Sequence, residues 1–325
     1  MTDQTIAERS ALPLAANASL IKWVRNYAIV IFVALFFVIL TIIAPNFASA
    51  RNIFNVLDQN APLMLTAMGT TLVIMTGGFD LSSGKILSLA GVVGAKVAVV
   101  TGSAIAGVAV GIFSGIPAGM LNGFLVGRLK LNSFLLTLAT GLLLSGIAMF
   151  VTAGYSFDLS GNAAFRYLGS TRYGIVPLSV IVCAIVFVLL TILMRYTVVG
   201  RQILAVGSNT EAARLSGLSV GRVKLIAYAI GGAAAATGGM ILTTRTGVGG
   251  VYTDAPTLTL NAIAAVVIGG TAITGGSGAI WRTVLGVLLL ALTRNALNLL
   301  NIPPYWQEAV SGLIIIIALL ANTRR

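Results

Sequence analysis

Eight acidic residues, no histidine and one cysteine give this 325-residue chain few groups for acid–base or metal chemistry. A metal site needs converging ligands, and the acids here are dispersed. Cys183 sits inside an apolar run and has no second cysteine for an internal disulfide. Gly78–Lys85, G-F-D-L-S-S-G-K, looks at first like a phosphate-binding loop. That loop needs four residues between its glycines, then Lys-Ser/Thr, all after a strand. Here five residues intervene and Ile86 follows the lysine, so the spacing excludes nucleotide binding at this site. The glycine-rich stretch Gly269–Gly278 lacks the lysine altogether and reads as a flexible connection at the end of a span.

The remaining polar residues in apolar surroundings are candidates for lining a pathway. Asp80 lies in Gly77–Gly84, a break in a helical run. Irregular backbone at membrane depth survives only when buried in protein or lining a water-filled cavity. Asp80 can therefore bond solute hydroxyls or cap the next helix. Asn122 and Thr137 are two more such residues. Asn295 and Asn298 are three apart and share a helix face, with Asn301 beyond them. They can line a polar path near the outer mouth or hydrogen-bond neighbouring helices.

One connection looks built for a partner. Residues 196–222 are too long for a tight turn. Within them Ser208-x-x-Glu211 has the form of a capping box. Ala212, Ala213 and Arg214 favour helix, and Gly217 suits its stop. These residues predict a short helix over about Asn209–Ser216. Isolated short helices are marginal in water, so this one either docks in a groove on another protein or lies on the lipid interface.

The elements that carry these residues follow from composition. The chain is 58% apolar and 9% charged, against about 25% charged in soluble domains. Apolar runs recur at 27–45, 60–77, 86–101, 103–127, 134–153, 175–195, 224–243, 257–273, 281–300 and 306–320. Each approaches the roughly 20 residues that cross a bilayer. The expected fold is all-α with about ten transmembrane helices: a cytoplasmic segment 1–26, a membrane domain 27–320 and a tail 321–325. The first span is read as uncleaved, because its polar lead and apolar run are both long for a signal peptide. With the N-terminus inside, fourteen of the 20 Lys and Arg fall in cytoplasmic segments and five in outer ones. That bias has the positive-inside sign and puts the C-terminus inside as well. The weak point is Gly77–Lys85, either a re-entrant bend or the end of a full crossing. The net charge of +12 is scattered along the chain, so it does not point to nucleic acid. In the fourth run, glycines at 107, 111, 115, 119, 123 and 127 form one ridge. Such a ridge serves close helix packing or a moving helix beside a pathway.

At this point the sequence resembles a family. Glu211-Ala212-Ala213 followed by Gly217 is similar to the E-A-A-x-x-x-G coupling motif of ABC-importer permeases. G-R-Q-I-L-A-V-G-S-N-T-E-A-A-R-L-S-G around it resembles the ribose/xylose/galactose-type branch. So do T-G-G-F-D-L-S-S-G at Thr76–Gly84, G-M-L-N-G at Gly119–Gly123, F-L-L-T-L-A-T at Phe134–Thr140 and the stretch Asn261–Gly278. The resemblance implies a type II-like permease architecture in the bacterial inner membrane, with permeases working as a pair, here expected to be a homodimer. It implies a cytoplasmic ATPase subunit docked at Ser208, Asn209, Glu211, Ala212, Ala213, Arg214, Gly217 and Leu218. A periplasmic binding protein would deliver a monosaccharide. This chain would bind no cofactor, and ATP would be used by the partner. Two other classes stay open: an ion-coupled secondary transporter of a small polar solute and a membrane enzyme. The first tends to carry ionisable residues in its spans. The second needs a converging catalytic constellation.

Overall fold

A computed structural model describes residues 29–322. The segment 1–26, with Arg9, Lys22 and Arg25, lies outside the described residues, as do Arg324 and Arg325 of the tail. The first helix among the described residues is α1 (Ile29–Ile43). It continues through α2 (Ala50–Gln59), α3 (Ala61–Met75), α4 (Ser83–Thr101), α5 (Ala104–Gly127) and α6 (Ser133–Thr152). A short excursion follows: β1 (Phe157–Asp158), α7 (Ala163–Ser170), β2 (Arg172–Tyr173) and β3 (Val176–Pro177). Then come α8 (Leu178–Tyr196), α9 (Val198–Ser208), α10 (Thr210–Leu215), α11 (Val220–Thr246) and β4 (Val248–Gly249). The last elements are α12 (Ala255–Ile268), α13 (Ile280–Leu299) and α14 (Pro304–Asn322).

A helix lies over each expected apolar run. Six of them, α4, α5, α6, α8, α11 and α13, are long and apolar enough to cross a membrane. α1, α3 and α12 are apolar but shorter. The 15 residues of α3 extend about 22 Å, against about 30 Å of hydrocarbon.

All residues of α3 are buried, as a helix apolar on every side must be. Around it stand α8, α11, α12 and α13. Leu142, Phe150 and Leu189, on α6 and α8, instead turn outward. Such a surface is costly in water and neutral in hydrocarbon.

The helix directions come from paired residues. α11 runs antiparallel to α3, with Gly69 on Gly231 and Pro62 on Gly238. It runs parallel to α4, with Leu87 on Gly239 and Gly91 on Thr243. It is antiparallel to α5, whose glycine ridge lies along it: Gly115 meets Gly232, Gly119 meets Tyr228 and Gly123 meets Leu225. The ridge is thus a packing seam for most of its length. Gly107, at its far end, packs on α4. At 27 residues α11 is about 40 Å long, and it sets the length of the bundle.

Two helices start partway along that length. α4 follows the non-helical residues 76–82, and α12 follows 247–254, which run back along α4 from the end of α11. Tyr252 N–H donates to Ser88 Oγ at 2.8 Å. Gly84 N–H donates to Thr259 Oγ1 at 2.9 Å, so the first turns of α4 and α12 touch beside the middle of α11.

Candidate functional site

The 196–222 connection forms two helices at the end of the bundle where α11 begins. Asn209 caps α10: its Oδ1 accepts the Ala212 N–H at 2.9 Å. The cap therefore sits one residue later than expected, and the expected capping box does not form. Ser208 closes α9 and donates its Oγ to Leu204 O at 2.9 Å. Glu211 does not reach back; its carboxylate pairs with Arg214. Ser and Asn are equally good caps, and Asn209 has the extended backbone (φ −156°) that a cap needs. The stop is as expected. Gly217 takes φ +83°, Leu218 N–H donates to Ala213 O, and Gly217 N–H donates to Arg214 O, a Schellman ending.

Caps at both ends hold this six-residue helix. Ala213 alone among its residues is buried, joining the core around α3. Glu211, Ala212, Arg214 and Leu215 face outward, Leu215 at 75% exposure. The hydrogen bond from Arg214 holds the Glu211 carboxyl below its ordinary range, with Arg214 and Lys130 adding attraction. The exposed pair itself contributes little stability.

Three backbones meet behind α10. Gly276 N–H donates to Met75 O at 3.0 Å, and Ser208 Oγ lies 3.4 Å from Gly276 O. Gly207 packs so closely that a Cβ would collide with Met75 O and Gly276 N. The Gly269–Gly278 stretch, expected to be a flexible connection, is thus seated between the ends of α3 and α9. Its turn needs positive φ at Gly275 and Gly276, which only glycine adopts without strain.

Asp80, Asn122 and Thr137 converge on the break after α3, and all are buried. The Asp80 carboxylate accepts both the backbone N–H and the hydroxyl of Ser82. Ser82 Oγ in turn accepts from Asn122 Nδ2 at 2.8 Å. Thr137 Oγ1 accepts Leu81 N–H at 2.9 Å, Ser133 Oγ accepts Phe79 N–H, and Tyr228 donates to Phe79 O at 2.8 Å. Neighbouring side chains thereby satisfy an irregular backbone, as burial requires. Asp80 thereby organises the entry to α4.

Asn295 and Asn298 lie elsewhere. Asn295 exchanges amide hydrogen bonds with Asn52 of α2 at 2.8 and 3.0 Å. Asn298 Oδ1 accepts from Gln307 of α14 at 2.7 Å. Both tie helices together, the second of the two roles open to them in the sequence.

Sequence reasoning missed a cavity of about 440 Å³ at the end of the bundle opposite α10. It lies between the starts of α3, α12 and α14 and the ends of α2, α11 and α13. Arg294 of α13 lines it and pairs with Glu308 at 3.5 Å. Tyr252 and Asp254 were its only sequence trace, as polar residues between glycines and an apolar run.

Residues 52–319 match the family described as branched-chain amino acid transport system / permease component. The ribose import permease protein RbsC of Escherichia coli K12 is 34% identical over 332 residues, covering all of both chains. RbsC of Bacillus subtilis is 38% identical over 293 residues, 89% of each chain. The L-arabinose transport system permease protein AraH of E. coli is 34% identical over 295 residues, 91% of this chain and 89% of that one. No solved structure matches the chain. With most of its length inside the family match and full-length relatives above 30% identity, the chain belongs to this family of ABC-importer permeases, in the branch of the ribose and arabinose permeases.

Proposed function

We propose that this chain is the permease subunit of an ATP-driven importer that carries a monosaccharide, a pentose or hexose such as ribose, across the bacterial inner membrane. Ten membrane-embedded helices surround the passage, α3 and α12 being partial spans. Both termini are cytoplasmic, which puts α10 inside and the 440 Å³ cavity outside. Two copies form the pathway, a periplasmic binding protein delivers the sugar, and a cytoplasmic ATPase subunit consumes the ATP. The family description names amino acids, but relatives matched over 89% or more of their length are named for ribose and arabinose, and that favours sugar.

The observation that carries the reading is α10. It is capped at both ends, anchored by Ala213 and exposes Glu211, Ala212, Arg214 and Leu215. A helix fixed in this way loses little entropy on docking into a groove. Reversing the charge at Glu211 (Glu211→Lys) removes the Arg214 pair and puts a repulsive cation at the docking face. Uptake should fall at least about tenfold, because a reversed charge on the docking face opposes association with the partner groove. Membrane insertion should stay normal. Leu215→Cys, not the buried Ala213, is the position to crosslink to the ATPase. Wild-type uptake by Glu211→Lys, with no crosslink from Leu215→Cys in the assembled complex, contradicts the docking reading.

A further inference from the structure

We infer that the cavity opposite α10 is a solute site in the permease itself, built for a neutral polyhydroxylated molecule. The inference rests on the importer reading and deepens it. At about 440 Å³ the cavity falls within the range of small-molecule sites, about 300–1,000 Å³. Its position fits a passage. The cavity extends from the end of α11, at Arg245, to the first turns of α12, at Asp254 and Asn261. That places its floor where α12 starts, beside the middle of the bundle. Irregular backbone at that depth is tolerated when it lines a polar cavity, and Tyr252 and Asp254 of the 247–254 stretch do line this one.

The wall chemistry selects the solute. Four charged residues line it, Arg245 and Arg294 against Asp254 and Glu308. Their formal charges sum to zero, so the cavity carries no net charge that selects an anion or a cation. Three of the four are already engaged: Arg294 with Glu308 at 3.5 Å, and Arg245 through Nη1 with Asp58 O at 2.8 Å. Asp254 stands at the head of α12, yet its carboxylate makes no capping bond, which leaves it to accept from a solute. Asn60 and Asn261 add amides that both donate and accept. Hydroxyl groups also donate and accept, so a polyol can satisfy such a wall at many points. Tyr252 supplies a flat surface for the C–H face of a ring.

The test uses the assembled transporter in proteoliposomes. Asn261→Cys is introduced with Cys183→Ala, which removes the chain's single native cysteine. A membrane-impermeant thiol reagent is applied from the cavity side, with D-ribose or L-leucine as the probe. The site should label, and ribose at about ten times its half-saturating concentration should slow labelling about tenfold. Leucine should have no effect. Labelling that ribose leaves unchanged, or no labelling, overturns the cavity as a solute site. Protection by leucine and not by ribose overturns the polyol assignment. In parallel, Asp254→Asn should slow ribose uptake about tenfold, because the amide loses the charged hydrogen bond to the solute. Binding-protein-stimulated ATP hydrolysis should be retained. Wild-type uptake in Asp254→Asn counts against the cavity while leaving the importer reading intact. ATP-driven ribose uptake by the unaltered complex tests that reading separately.

Discussion

Replacing Gly119 with leucine should leave almost no folded protein in the membrane. A Cβ at this position would collide with the carbonyl oxygen of Tyr228 and crowd Ala229 Cα, both backbone atoms of α11. No rotamer relieves a clash with backbone, so α5 and α11 must separate. Separation is costly here because the seam consists of glycines along its length: Gly115 on Gly232, Gly123 on Leu225 and Gly127 on Gly221. In a membrane such contacts carry most of the helix association, since lipid is as apolar as leucine. Overpacking a core costs about 1–3 kcal/mol, and losing the neighbouring contacts adds to that. The shift also moves Tyr228, whose hydroxyl satisfies Phe79 O. Monodisperse protein recovered in mild detergent measures the effect. Gly146→Leu is the control, because nothing lies within 4 Å of a Cβ there. It should behave as wild type. If Gly119→Leu does so too, the seam is not where the structure puts it.

The second large effect is expected at Gly207. Valine there should reduce uptake more than tenfold, the equivalent of 1.4 kcal/mol or more. The new side chain must displace Met75 O or Gly276 N. Those two atoms are hydrogen-bonded to each other at 3.0 Å, and they join the end of α3 to the α12–α13 connection directly behind α10. On the proposed coupling, motion of α10 reaches both elements through this junction. Transport should therefore fall while ATP hydrolysis continues without response to the binding protein. Gly217→Ala is the comparison. It meets open space at φ +83°, so it suffers only the left-handed penalty of about 1–2 kcal/mol and should retain most activity. Coupled transport in Gly207→Val would show that the junction transmits nothing.

Much of the frame was legible in the sequence because hydrophobic runs report helices directly. The break at Gly77–Ser82 was legible too, since paired glycines and an acid interrupt an apolar run. The α10 cap was misread by one residue: Ser208 and Asn209 are adjacent and both competent, and only the backbone conformation chooses between them. Asn295 was ambiguous for another reason. An amide in a span bonds either water or a neighbour, and its neighbour Asn52 is 243 positions away. The cavity was illegible because its wall is drawn from the starts of three helices, the ends of three others and the 247–254 stretch. Each of its residues looks ordinary in its own stretch. The glycine ridge showed its spacing but not its partner, since pairing with α11 is a long-range fact.

The importer reading is tested most directly by uptake in proteoliposomes holding this chain with its ATPase and binding protein. Labelled D-ribose is supplied on the binding-protein side and ATP on the side of α10. The account predicts accumulation that requires ATP hydrolysis and persists when ionophores abolish sodium and proton gradients. Uptake that proceeds without ATP and collapses with those gradients would contradict it.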